Sequence, residues 1–185
     1  MGIRTKKGVV DPAYALQIRS LHQALGIADD YNDRIGLPLQ QEPERLVDAG
    51  PDMFDRPQQM TPSTMLAWQG MRDRAASDGI TLLLVSAYRG AAYQADVIRR
   101  KLDGGRTLED ILRVNAAPGY SEHHTGRALD IATPGDPPLE TTFELTAAFA
   151  WLSDNADEFG FVLSYPRDSV SAITYEPWHW CFRGD

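Results

Sequence analysis

Apolar positions along this chain recur with two periods, and each marks a different kind of element. Tyr14, Leu16, Ile18, Leu21 and Leu25 form a helical stripe behind Asp11 and Pro12 and ahead of Gly26, which predicts a capped helix over 12–25. Thr61 and Pro62 open a second helix by the same logic, through Met65, Trp68 and Met71 to Gly79. The run ITLLLVSAY, residues 80–88, is continuous, apolar and partly β-branched, as a buried strand should be. A helix from Ala91 to Leu102 ends at Gly104 and Gly105, and Thr107 caps a short one through Val114. RALDIAT, residues 127–133, alternates as a strand; a long helix from about Thr142 to Phe159 stops at Gly160 before the strand FVLSY; YEPWHWCF, residues 175–182, is the last predicted strand. Residues 28–59, rich in Asp, Pro, Gln and Gly with weak periodicity, read as a long connecting stretch with at most short helical turns.

Helices and strands therefore interleave without a regular βαβ repeat and without a glycine-rich phosphate loop, which points to an α+β domain of short antiparallel strands backed by helices. At 185 residues, 43% hydrophobic and 24% charged, the chain has the balance of an ordinary globular domain with a sizeable core. No apolar run approaches the roughly 20 residues of a spanning helix. A net charge of -8 argues against a partner bound through phosphates, so nucleic acid drops away. The single cysteine, Cys181, excludes an internal disulfide and a cysteine-rich zinc site. The basic start MGIRTKKGVV is followed by DPAYALQIRS, too polar for the core of a secretory signal, so the expectation is either no export or export by a segment outside this sequence.

Candidate chemistry concentrates in SEHHTGRALDI, residues 121–131, which holds two of the four histidines. A metal site, a catalytic dyad and a polar loop before a strand are all compatible with it. Zinc with an open position takes three protein ligands from His, Asp or Glu. His123 and Asp130 would face opposite ways on a regular strand, and the turn that Gly126 permits is what can aim both at one ion. A third ligand must come from elsewhere, and His179 of EPWHW is available. Glu176 lies three residues before it, and a carboxylate held beside a metal can act as general base. Pro177 cannot donate to a ladder, so an edge or a bulge is expected there.

Ser121, His123, Gly126, Ala128 and Asp130 fit the spacing S-x-H-x-x-G-x-A-x-D, and Glu176, Trp178 and His179 fit E-x-W-H. Together these motifs resemble the VanY-type D-alanyl-D-alanine carboxypeptidases, of the group of zinc folds that includes lysostaphin-like peptidases and the hedgehog signalling domain. The resemblance runs over roughly Ile80 to Phe182 and implies a small central antiparallel sheet flanked by helices. It implies His123, Asp130 and His179 as zinc ligands, selects His123 over His124, and implies Glu176 as general base. SAYRGAAYQ, residues 86–94, is similar to a further family segment, which implies Arg89 near the scissile carbonyl and Gln94 with Ser121 near the substrate's terminal carboxylate. Trp178 is expected either in the core or along the substrate cleft, and His124 at the surface beside the ligand.

These features lead to the expectation of a monomeric zinc peptidase that removes a terminal D-Ala from a peptidoglycan stem peptide or muropeptide. Same-fold rivals are an L,D-carboxypeptidase, a D,D-dipeptidase and an endolysin-type endopeptidase, and the site motif does not separate them. A rival from another class is a zinc-stabilised peptidoglycan-binding module without turnover, for which a carboxylate at 176 would have no use. Residues 1–60 are expected to supply an N-terminal helix and a connecting segment packed on a peptidase domain at 61–185.

Overall fold

The computed structural model describes residues 4–5, 8–168 and 173–184; parts of the basic start, among them Lys6 and Lys7, lie outside. The chain forms two compact units, one from the described residues of Met1–Glu42, Arg89–Thr125 and Val170–Thr174, the other from those of Pro43–Tyr88, Gly126–Ser169 and Tyr175–Asp185. Among the described residues no helix is long and apolar enough to cross a membrane.

The first unit holds a two-residue ladder, β1 (Arg4–Thr5) with β2 (Gly8–Val9), and the helices α1 (Pro12–Leu25), α2 (Tyr31–Ile35), α4 (Ala91–Asp103) and α5 (Leu108–Arg113). The cap-and-proline reading of α1 holds: Asp11 accepts the Ala13 N–H at 2.9 Å, and Gly26, at φ 72°, ends the helix in the left-handed region. Tyr14, Ile18 and Leu25 turn inward as the stripe requires, the first two with Leu39 and Ala91, the last with Ile98 and Ile111.

What this unit builds most carefully is the loop 116–119 ahead of Ser121. Gln94 Nε2 donates to Ala116 O at 2.8 Å, the Ala117 N–H to Tyr31 Oη at 3.1 Å, and His22 Nε2 to Pro118 O at 2.8 Å. Gly119 donates to His124 Nε2 at 3.0 Å and accepts from the Gln40 N–H at 2.7 Å. Only glycine serves at 119, because φ is 88° and a Cβ would lie 2.7 Å from Ile18 Cγ2. His124, expected at the surface, is instead fully buried. Its Nε2 accepts from Gly119, so its Nδ1 carries the proton and donates to Arg89 O. Burial holds its pKa down to about 4, which keeps the ring neutral.

The second unit contains the hairpin β3 (Val47–Pro51) and β4 (Pro57–Met60), helix α3 (Pro62–Ser77), and an antiparallel sheet of order β5-β6-β8-β7. Its strands are β5 (Leu83–Ser86), β6 (Ala128–Ala132), β7 (Phe161–Leu163) and β8 (His179–Phe182). Trp68 and Met71 of α3, Leu129 and Ile131 of β6, Leu152 of α6 (Ala147–Asn155) and Phe161 form its core.

Two stretches outside the site differ from the sequence reading. The helix predicted over 142–159 is broken into a 3-10 turn at Thr141–Leu145, α6, and another 3-10 turn at Ala156–Phe159, because Thr146 is extended at ψ 154° and caps α6 by accepting the Phe149 N–H. The connecting stretch contains the β3–β4 hairpin, whose strands carry prolines and a glycine and show no alternation. The hairpin is held by polar groups instead. Buried Asp52 accepts from the Phe54 and Arg56 N–H groups, Arg56 Nε and Gln58 Nε2, while Arg56 reaches Val85 O and Gln58 accepts from the Ala87 N–H on the β5 segment.

Burial alone would raise the Asp52 pKa, but the hydrogen bonds from Arg56 and Phe54 outweigh it and hold it below the usual carboxylate range. A pKa lower in the folded than in the unfolded chain, where Asp titrates near 3.9, stabilises above that value and loses its contribution as pH falls through the folded pKa. Asp52→Asn should therefore cost about 1–3 kcal/mol at pH 7 and progressively less below pH 4, measured by urea unfolding across pH; a cost independent of pH would contradict the network. His124→Ala leaves the Gly119 N–H and the Arg89 carbonyl without partners and opens a cavity, a loss of about 2–4 kcal/mol, and His124→Gln, which keeps a donor and an acceptor, should recover part of it. Equal denaturation midpoints for wild type and His124→Ala would exclude this role.

Candidate active site

The site begins with strand register. β6 is the second strand of its sheet, buried at every residue, and on it Asp130 stands directly opposite His179, the first residue of β8. Opposed residues of an antiparallel pair bring their Cβ atoms within about 5.5 Å. His179 Nδ1 accordingly lies 3.2 Å from Asp130 Oδ1, with both side chains buried.

The predicted strand over 175–182 starts only at His179. Pro177 has no N–H for a ladder, and the His179 N–H closes a turn onto Glu176 O at 3.1 Å. That turn folds Glu176 back so that its Oε2 is 3.7 Å from the same His179 Nδ1. Two carboxylates thus face one buried ring nitrogen. Tyr165, missing from the sequence reading, packs its ring 4.7 Å from the His179 ring and accepts the Glu176 N–H at 3.1 Å through its carbonyl. Its one local signal is Pro166, which marks the end of the preceding strand.

His123 lies in the 3-10 turn Glu122–Thr125 and is buried. The turn ends at Gly126, at φ 65°, where a Cβ would meet Leu46 Cδ2 at 2.9 Å and the Thr61 backbone nitrogen at 3.3 Å. Within the second unit Asp130 and His179 set a carboxylate beside an imidazole, and the sequence motif adds the His123 imidazole of the first. Two imidazoles and a carboxylate are a donor set that suits zinc and leaves a coordination position open. The electrostatics agree: burying Asp130 with Glu176 close by is costly unless a cation shares the space. His124 has both ring nitrogens engaged by backbone and does not belong to the group.

Of the other candidates, Arg89 is held by its backbone: its N–H donates to His123 O at 3.3 Å and its carbonyl accepts from His124. Its buried Nε has no hydrogen-bond partner among the described residues. Gln94 is buried on α4 with its amide nitrogen on Ala116 O and its Oε1 unpartnered among the described residues. Ser121 is buried at the head of the histidine turn. Trp178, half-buried in the Glu176–His179 turn, packs against the core and takes the Ile131 N–H on its carbonyl.

Comparison with known proteins agrees with this geometry. YodJ of Bacillus subtilis is 36% identical over 118 residues, 61% of this chain and 42% of its own length. The chain thus spans less than half of that relative, and also less than half of a D-alanyl-D-alanine carboxypeptidase of Enterococcus faecalis that it matches. The structure of the LdcB LD-carboxypeptidase superposes with a TM-score of 0.69 at 30% identity, covering 77% of this chain and 70% of that one. A zinc complex of a VanY D,D-pentapeptidase variant from a vancomycin-resistance cassette superposes with a TM-score of 0.60 at 25% identity, covering 78% of this chain and 81% of that one. The family model described as VanY, D-alanyl-D-alanine carboxypeptidase, matches residues 57–185, from the start of β4 through β8, and the chain belongs to that family.

Proposed function

We propose that this protein is a zinc-dependent carboxypeptidase that removes a terminal D-Ala from peptidoglycan stem peptides, with His123, Asp130 and His179 as the metal ligands. The observation that carries the reading is the placement of Glu176, with its carboxylate 3.7 Å from the same His179 ring nitrogen that Asp130 faces. A module that only held zinc has no need of that carboxylate. A zinc ion in this group supplies Lewis-acid polarisation of the scissile carbonyl and makes water acidic enough to lose a proton near neutral pH.

The remaining chemistry belongs to the chain. Glu176 takes a proton from the attacking water and passes it to the leaving amine. Arg89, fixed by its backbone bonds to the two histidines and with Nε unpartnered among the described residues, offers a positive charge to the oxyanion that develops on the carbonyl. Ser121, Gln94 and Trp178 bind the substrate: the serine hydroxyl and the second N–H of the Gln94 amide nitrogen donate to its terminal carboxylate, and the indole lies beside it. The similarity to the LdcB LD-carboxypeptidase supports a second reading, cleavage before a terminal D-Ala that follows an L-centre.

Two experiments test these readings. Zinc-loaded protein incubated with a muramyl pentapeptide and, separately, with the tetrapeptide should release D-Ala from the pentapeptide, read by mass spectrometry; release from the tetrapeptide alone would favour the L,D reading, and zinc binding with no cleavage of either would favour a binding module. Ala at His123, Asp130 or His179 should abolish stoichiometric zinc, whereas Glu176→Gln should keep zinc and substrate binding while turnover falls by about 100-fold to 10,000-fold, and Arg89→Ala should lower kcat by about 100-fold with zinc retained. A wild-type rate in Glu176→Gln would end the general-base assignment.

A further inference from the structure

A general base must be aimed as well as present, since a misplacement of about 1 Å at a reacting group costs on the order of 100-fold in rate. Glu176 sits on a non-regular segment, the kind of backbone that needs extra restraint. Its N–H is tied to Tyr165 O and its carbonyl to the His179 N–H, both at 3.1 Å. The residue immediately before it, Tyr175, carries a third tether: its hydroxyl donates to Glu144 Oε2 at 3.0 Å. Glu144 is itself held at a defined angle. It lies in the 3-10 turn Thr141–Leu145, anchored in the core through buried Phe143, and Arg167 grips both carboxylate oxygens, Nη2 on Oε1 and Nε on Oε2 at 3.3 Å. The Arg167 guanidinium also lies 4.4 Å over the Tyr175 ring.

We infer that Glu144, Arg167 and Tyr175 form a clamp whose role is to position Glu176, with Tyr175 as the positioning residue and Glu144 as its anchor. The arrangement is a poor device for stability: Arg167 is 61% exposed, and an ion pair that open to water contributes little. Its geometry serves direction. The pair offers the Tyr175 hydroxyl an acceptor oriented on two sides, and the ring is pinned against the guanidinium, so the backbone enters Glu176 along one path. The hydrogen bonds from Arg167, and after it from the Tyr175 hydroxyl, hold the Glu144 carboxyl below its usual range, so it stays ionised and a strong acceptor. This inference rests on Glu176 being the general base.

The test uses zinc-loaded protein and the muramyl pentapeptide. Tyr175→Phe, which keeps the ring and loses the hydroxyl, should lower kcat roughly 10-fold, with KM within about twofold of wild type and zinc stoichiometry and melting temperature unchanged. Glu144→Ala should match it, Glu144→Gln should recover most of the rate because an amide oxygen still accepts from the hydroxyl, and the Glu144→Ala, Tyr175→Phe double variant should be no worse than either single one. The decisive readout is the Glu176→Gln background, where Tyr175→Phe should have no further effect on the residual rate. An undiminished 10-fold loss there, or a wild-type kcat in Tyr175→Phe while Glu176→Gln is impaired, would overturn the clamp; a wild-type rate in Glu176→Gln itself would overturn the general-base reading and the clamp with it.

Discussion

The antiparallel register that sets Asp130 of β6 across from His179 of β8 is the constraint on which the site depends. A slip of one residue would turn Asp130 to the opposite face and bring Leu129 or Ile131 round in its place. Both strands are buried along their length, so an exposed face does not enforce the register by itself. Their ends do. At one end the Ile131 N–H reaches out of the ladder to Trp178 O, and at the other the Phe182 N–H bonds Arg127 O. The Phe182 ring lies over Gly160, where a Cβ would come within 2.9 Å of it. An apolar fit at one edge of the sheet thus supports a polar pairing three residues away along β8.

The buried polar groups sort into two populations. Asp52, His22 and His124 have their hydrogen-bonding capacity used by named partners, and each ties a loop to a neighbouring element. Arg89 Nε, Gln94 Oε1 and Asp136 Oδ2 are buried without a partner among the described residues. Proteins leave few such groups unmet, because an orphan costs about 1–3 kcal/mol, and the first two fall on residues that the family resemblance placed near substrate. Rigid scaffolding and unspent hydrogen-bonding capacity lie side by side: Gln94 holds the 116–119 loop with one end of its amide and leaves the other open.

Much of this was legible in the sequence, and what was not has identifiable causes. α1 and α3 announced themselves through a capping side chain followed by proline, and both caps form as read. The motif residues of β6 and β8 were visible because their spacing is set by one turn glycine and one proline. The hairpin was hidden because its strands lack the β-branched alternation by which strands are recognised; Asp52, an ordinary-looking acid in a polar stretch, does the organising. Thr146 offered a readable clue to the break ahead of α6, since a threonine three residues before Phe149 can cap as well as continue a helix. The burial of His124 and the contact of Tyr165 with His179 come from pairings across long stretches of chain, which local pattern does not carry.

The adjacent histidines 123 and 124 share a side chain and differ in what is left of it. Because Gly119 and Arg89 occupy both nitrogens of His124, the pair offers a metal one imidazole rather than two. Four protein ligands would close a zinc coordination sphere and turn the ion into a structural rivet, whereas three leave a place that exchanges with solvent. On the proposed ligand set, two backbone hydrogen bonds on a residue outside it would keep a fourth protein ligand from the ion, and with it separate a stored metal from a working one.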